Sequence, residues 1–160
     1  MTTPNLFRGL WPDAASGVMA LGAPRAVTSG TELFHLGQRA DHFFVITRGR
    51  VALTLPMQIA GREEGVLIEE RLEGETIGWS ALIPPHKFTL TAVAQVDGEV
   101  LVFGRDDLLQ FLSQHPTAGY TIARNIAEIV GERLQVFQAM WLRQMQHLVE
   151  LQTGPARVQS

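Results

Sequence analysis

The chain carries a single lysine, Lys87, among thirteen strongly basic residues. It lies in residues 74–94, G-E-T-I-G-W-S-A-L-I-P-P-H-K-F-T-L-T-A-V-A. This stretch reads as a short strand, a tight turn at Gly78, one helical turn, a rigid Pro84-Pro85 corner and a second strand. Backbone N–H groups at the start of a helical turn lack intrahelical partners and point outward with a favourable dipole, which suits an anion. Lys87 sits across the corner from that turn. Gly78, Trp79, Ser80, Ala81, Lys87, Phe88 and Thr89 are therefore the candidate ligand-binding residues, for a small anionic or nucleotide-like molecule. A second reading makes the same stretch a strand–turn–strand connection with Trp79 and Phe88 as core, since apolar residues in a connection are usually packed.

Other chemistry has less to work with. The chain has no cysteine, which excludes disulfides, thiolate metal sites and cysteine nucleophiles. The five histidines, His35, His42, His86, His115 and His147, include no i,i+2 or i,i+4 pair. His35 and His42 could meet across a hairpin, but a structural or surface role suits them better. P-loop, G-x-G-x-x-G and G-x-S-x-G patterns are absent. A cupin-like enzyme would need a metal or a pair of pocket carboxylates, and nothing points to either. Neither enzymatic activity nor a metal or other cofactor is expected. The formal net charge is −3, which gives no general attraction to nucleic acid or an anionic membrane. No apolar run approaches membrane-spanning length, and the N-terminus lacks the order of a signal peptide. A cytoplasmic protein is expected.

With 160 residues, 46% of them hydrophobic, the chain is long enough for one domain with a core. Residues 1–22 read as one or two short helices broken by Pro12, with Asp13 as an N-cap, Gly22 as a stop and Trp11 packed on the next layer. From residue 23 short apolar runs alternate with glycines, the pattern of an all-β sandwich or barrel. Strands are predicted at 25–27, 32–35, 42–47, 51–57, 66–72, 76–78, 88–94 and 99–103. Six glutamates between Glu63 and Glu75 read as a solvated acidic patch. A helix is predicted from Asp106 to before Pro116, and a long one over 117–152, with 153–160 as a loose tail.

The long helix carries a seam of alternating three- and four-residue steps: Tyr120, Ala123, Ala127, Val130, Leu134, Phe137, Trp141, Gln144, Leu148 and Leu151. That is a heptad stripe. A second stripe, Ile122, Ile126, Ile129 and Arg133, is expected to pack on the β layer. At 1.5 Å per residue the helix is roughly 50 Å long, more than its own domain can cover. A second copy is the simplest partner, giving a homodimer through Val130, Leu134, Phe137, Trp141, Gln144 and Leu148, with Gln144 fixing register.

Taken together, residues 23–151 resemble a cyclic-nucleotide-binding domain followed by the dimer helix of catabolite-activator-type regulators. The resemblance rests on G-x-x-A-D-H-F-F-V-I-T-R-G-R-V from Gly37, G-E-T-I-G-W from Gly74 and T-A-V-A from Thr91. It implies a fold that is mainly β with flanking α: a β-roll (a double-stranded β-helix or jelly roll) of about eight strands at 23–105, then helices at 106–152. The family's phosphate-binding cassette has an acidic residue after the glycine turn, where this chain has Trp79. It also has an arginine that pairs with the cyclic phosphate, where this chain has Phe88 followed by Thr89. The winged helix-turn-helix of such regulators has no counterpart in residues 153–160, so no direct DNA binding is expected. The expected function is a dimeric regulatory or sensor domain with a degenerate cassette, taking a different small ligand or a protein partner rather than cyclic AMP. The alternative is a cyclic AMP or cyclic GMP receptor with atypical contacts through Lys87, Thr89 and the backbone of residues 78–80.

Overall fold

A computed structural model of the protein describes residues 3–154. The chain divides after Ile126 into two compact units. The first holds eight strands in two four-stranded antiparallel sheets: β1 Ala23–Val27, β2 Glu32–Phe34, β3 His42–Arg48, β4 Val51–Ile59, β5 Arg62–Arg71, β6 Thr76–Ile77, β7 Thr91–Ala94 and β8 Gly98–Gly104. The sheet orders are β1-β8-β3-β6 and β2-β7-β4-β5. This is the expected β-roll, and all eight predicted strands are present.

β3 organises the core. Phe43, Phe44, Val45 and Ile46 are all buried, so both faces of the strand are covered. Successive side chains point to opposite faces. Phe43 stacks on Phe103 at 5.0 Å, and Phe7 meets both edge-on. Phe44 lies on the other face and stacks on Phe34 of the second sheet at 5.8 Å.

The N-terminal segment holds a short helical turn and a helix, as expected, and differs in how the helix starts, where Trp11 lies and where the helix ends. A 3-10 turn at Asn5–Phe7 buries Leu6 and Phe7. Helix α1, Pro12–Met19, begins at Pro12 instead of being broken by it, with Trp11 as N-cap and Asp13 in the first turn. Proline suits the first helical position because its missing N–H would have no partner there. Trp11 is exposed, not packed. Gly22 does not stop the helix, which ends at Met19. A Cβ at Gly22 would lie 2.7 Å from Cζ of Phe103, so this glycine admits a ring.

Two strand boundaries shift for identifiable reasons. β5 starts at Arg62, four residues before the predicted 66, because Ala60 and Gly61 both have positive φ and make a tight two-residue turn. β7 starts at Thr91 because residues 86–88 pair elsewhere. Gly37 and Phe88 exchange backbone bonds with neighbours on a strap at 37–40: Gly37 N–H donates to Phe88 O, Phe88 N–H to Gln38 O, and Ala40 N–H to His86 O. The acidic patch is not wholly solvated. Arg71 is held by Glu69 at 2.6 Å and Glu75 at 3.1 Å, and the Glu69 and Arg71 side chains are nearly buried. Burial pulls on the Arg71 charge, but the two carboxylates outweigh it and raise its pKa.

Helix α2, Arg105–Gln114, stops before Pro116, and α3 runs Pro116–Thr153. Thr153, expected in the tail, is helical; residues 155–160 of that tail lie outside the described residues. Asn125 donates from its side-chain amide to the carbonyls of Leu6 and Arg8, which ties the start of α3 to the N-terminal turn. In the second unit the helix shows Leu134, Trp141, Leu142, Met145, Leu148, Val149 and Leu151 exposed. Of the other predicted seam residues, Gln144 is exposed, and Val130 and Phe137 are half-buried.

Candidate functional site

The candidate residues follow β6, whose Thr76 and Ile77 pair with Val45 and Phe44 of β3. Gly78 then takes a left-handed conformation, φ 78° and ψ 26°, which glycine adopts without a Cβ clash. Trp79–Leu82 forms a 3-10 turn, with the Ala81 N–H donating to Gly78 O and the Ile83 N–H to Ser80 O. The Pro84-Pro85 peptide is cis, and His86 follows at φ 57°. Nδ1 of His86 lies 3.0 Å from Ala81 O. A carbonyl only accepts, so Nδ1 carries the proton. This bond closes the loop across the proline corner.

Past the corner the side chains alternate. Phe88 and Leu90 are buried, while Lys87 and Thr89 are exposed. Ser80 and Ala81 are buried, and Gly78 and Trp79 half-buried. Gly78 and Phe88 come together: a Cβ on Gly78 would stand 3.2 Å from Cε1 of Phe88 and 3.4 Å from Cε1 of Phe34. Phe88 stacks on Phe34 with centroids 3.9 Å apart and planes 11° from parallel. Lys87 and Thr89 do not join this group. Lys87 bridges backbone-to-backbone with Arg39 on the strap instead.

Three features escaped the sequence reading. Phe34 and Phe44 extend the Phe88 ring into a column, and the guanidinium of Arg25 lies 5.4 Å from the centroid of Phe44. The strap that pairs with residues 86–88 ends in an ion-pair clasp: Asp41 accepts from Arg39 at 2.9 Å and from Arg105 at 3.0 Å, and Arg105 also donates to Ala40 O at 2.8 Å. The hydrogen bond from Arg39, with help from Arg105, holds the Asp41 carboxyl below its ordinary pKa. The Arg39-x-Asp41 pair was visible in sequence, but Arg105 lies 64 residues away, so only the fold joins them. Finally, His35 faces Glu32 at 3.3 Å and Thr91 at 3.4 Å rather than His42. Among the described residues no group of three or more His, Asp or Glu side chains could hold a metal ion.

The family model for the cyclic nucleotide-binding domain matches residues 24–115, more than half of the chain. The chain belongs to the cyclic nucleotide-binding domain family. The cyclic AMP receptor protein of Thermus thermophilus is 25% identical over 130 residues, covering 81% of this chain and 57% of that protein. Glutaminase 1 of Bradyrhizobium diazoefficiens is 28% identical over 134 residues, 84% of this chain but 21% of the glutaminase. The crystal structure of the Thermus thermophilus catabolite activator protein has the same fold, with a TM-score of 0.71, 24% identity, and coverage of 89% of this chain and 63% of that one. The chain thus spans little more than half, or much less, of the curated relatives it matches. Among the described residues no helix is long and apolar enough to cross a membrane.

Proposed function

We infer that this cyclic nucleotide-binding domain is a regulatory module whose cassette is not built for a cyclic phosphate. It takes a different small ligand, or acts through a protein partner, and works as a homodimer through α3. In this reading residues 1–22 buttress the roll, 23–105 sense and 106–152 transmit and pair, with 153–160 as a tail. The module is not an enzyme, acts in the cytoplasm and does not bind DNA through these residues. Its net charge of −3 supports the last point.

The observation that carries the ligand reading is the Phe88 ring. It stands over left-handed Gly78 and stacks on Phe34 at 3.9 Å. This is the position where the family resemblance expects a phosphate-pairing arginine. A guanidinium gives a cyclic phosphate a charge-assisted bidentate contact, and a phenyl ring gives none. Exposed Leu134, Trp141 and Leu148 support pairing, because contiguous apolar surface of this kind marks an interface. Sedimentation of the purified chain is expected to return the mass of two copies.

The second reading, a cyclic AMP or cyclic GMP receptor using Lys87, Thr89 and the backbone of residues 78–80, draws on family membership itself. A thermal-shift panel of cyclic AMP, cyclic GMP, cyclic dinucleotides, ATP and small carboxylates separates the two. A ligand that binds only the folded state stabilises it by about 2.7 kcal/mol at a hundred times its dissociation constant. The first reading expects no shift with cyclic AMP or cyclic GMP. A shift that Lys87→Ala abolishes would replace it with the second.

A further inference from the structure

The hairpin of β4 and β5 is held along only part of its length. β7 pairs with β4 over residues 51–54, whereas β5 accompanies β4 to its last residue, Ile59. Beyond Thr54 the hairpin is a two-stranded ribbon. β5 is also the outermost strand of its sheet. It has ten residues, R-E-E-G-V-L-I-E-E-R, with no proline. Among the described residues no strand pairs with its outer edge. Such an edge presents a row of backbone donors and acceptors ready to template another strand.

The side chains decide which strand that is. The charges of β5 read the same from either end: Arg62 mirrors Arg71, Glu63 mirrors Glu70 and Glu64 mirrors Glu69. In a centred antiparallel pairing of two copies, exposed Glu63 of each would face exposed Glu70 of the other, and like charges directly opposite are destabilising. A one-residue slip would turn every side chain to the opposite face. The pattern therefore works against self-pairing without removing the apolar centre. Leu67 in that centre is exposed, as are Met57 and Ile59 on the neighbouring strand. Glu63, Glu64 and Glu70 are exposed as well. The Glu69 carboxylate is already held by Arg71.

We propose that the outer edge of β5 docks an extended segment of another protein, in which pairs of lysine or arginine flank a short apolar centre. The segment adds to the sheet as a fifth strand. Main-chain hydrogen bonds supply affinity, and the carboxylates at each end supply selection. This surface is separate from the Gly78–Phe88 group and does not depend on the ligand reading.

The test is backbone hydrogen exchange on the full chain with a blocked decapeptide that places two lysines on each side of a three-valine centre. The control peptide has glutamates in place of the lysines. Amides of residues 62–71 are expected to gain about tenfold protection with the lysine peptide and none with the glutamate peptide. Reversing the exposed carboxylates (Glu63→Lys, Glu64→Lys and Glu70→Lys together) changes no buried residue and is expected to exchange the two preferences. Protection of β5 by neither peptide, or by both equally, overturns the proposal. So does protection that rises with protein concentration alone, which would assign the edge to a second copy.

Discussion

Two neighbouring residues of β3, Phe43 and Phe44, begin two aromatic clusters that differ in kind. Phe43 joins Phe7 and Phe103, all three at 0% exposure, with edge-on and stacked contacts of 5.0–6.5 Å. These rings come from the N-terminal turn, β3 and β8, and serve as core. Phe44 joins Phe34 and Phe88, at 4–7% exposure. Burial hardly separates the clusters, but their neighbours do. The second ends beside a left-handed glycine and a 3-10 turn, and has a guanidinium over its other end. A ring held only by strands reports on stability. Under the proposed function, the Phe88 ring beside left-handed Gly78 also bears on which ligand the loop admits.

The largest expected effect belongs to the first cluster. Phe43→Ala or Phe103→Ala removes a ring with no solvent to fill the gap and is expected to cost about 3–5 kcal/mol. Urea unfolding measures it. A cost near that of a surface change would mean the cluster is not the core. Phe88→Ala is expected to cost less, about 3 kcal/mol at the low end of that range, because a loop can relax where a strand cannot. The sharper variant is Phe88→Arg. It is expected to confer a cyclic AMP-dependent rise in melting point that the unaltered chain lacks. An equal rise in both proteins would erase the functional difference between the clusters.

The sequence was legible where local chemistry and periodicity agree. Gly49 and Gly78 both take the positive φ that their turns demand, and the strands around them follow from alternation. The inward turn of Phe88 and outward turn of Lys87 follow from the same period of two. What the sequence hid was long-range. Nothing near Phe88 announces Phe34, which sits on β2, far earlier in the chain. Phe88 read as the start of β7, yet the strap at 37–40 captures residues 86–88, because its backbone groups also need partners. Six glutamates read as a solvated patch, yet two of them, Glu69 and Glu75, close on Arg71. The heptad seam was plain because its spacing is its own signal.

A smaller effect tests the far end of the second column. Arg25→Ala removes the cation over Phe44, and an exposed cation–π contact is worth about 0.5–1 kcal/mol. Urea unfolding of Arg25→Ala is therefore expected to show a loss well below that of either core ring. A loss as large as that of Phe43→Ala would make Arg25 a structural member of the column.

The smallest effect is pH-dependent and lies behind Phe88. The strap that pairs with residues 86–88 is fastened at Asp41 by Arg39 and Arg105. The folded state lowers the Asp41 pKa, so folding is favoured by this carboxylate above its unfolded pKa of about 3.9. That contribution disappears as pH falls through the lower folded value. The difference in melting temperature between the unaltered chain and Asp41→Asn is therefore expected to be steady near neutral pH and to vanish in acid. It should also shrink with salt, because the Asp41 and Arg39 side chains are exposed. A difference that grew in acid would reverse the sign of the clasp. It would leave the strap, and the placement of Phe88, to backbone pairing alone.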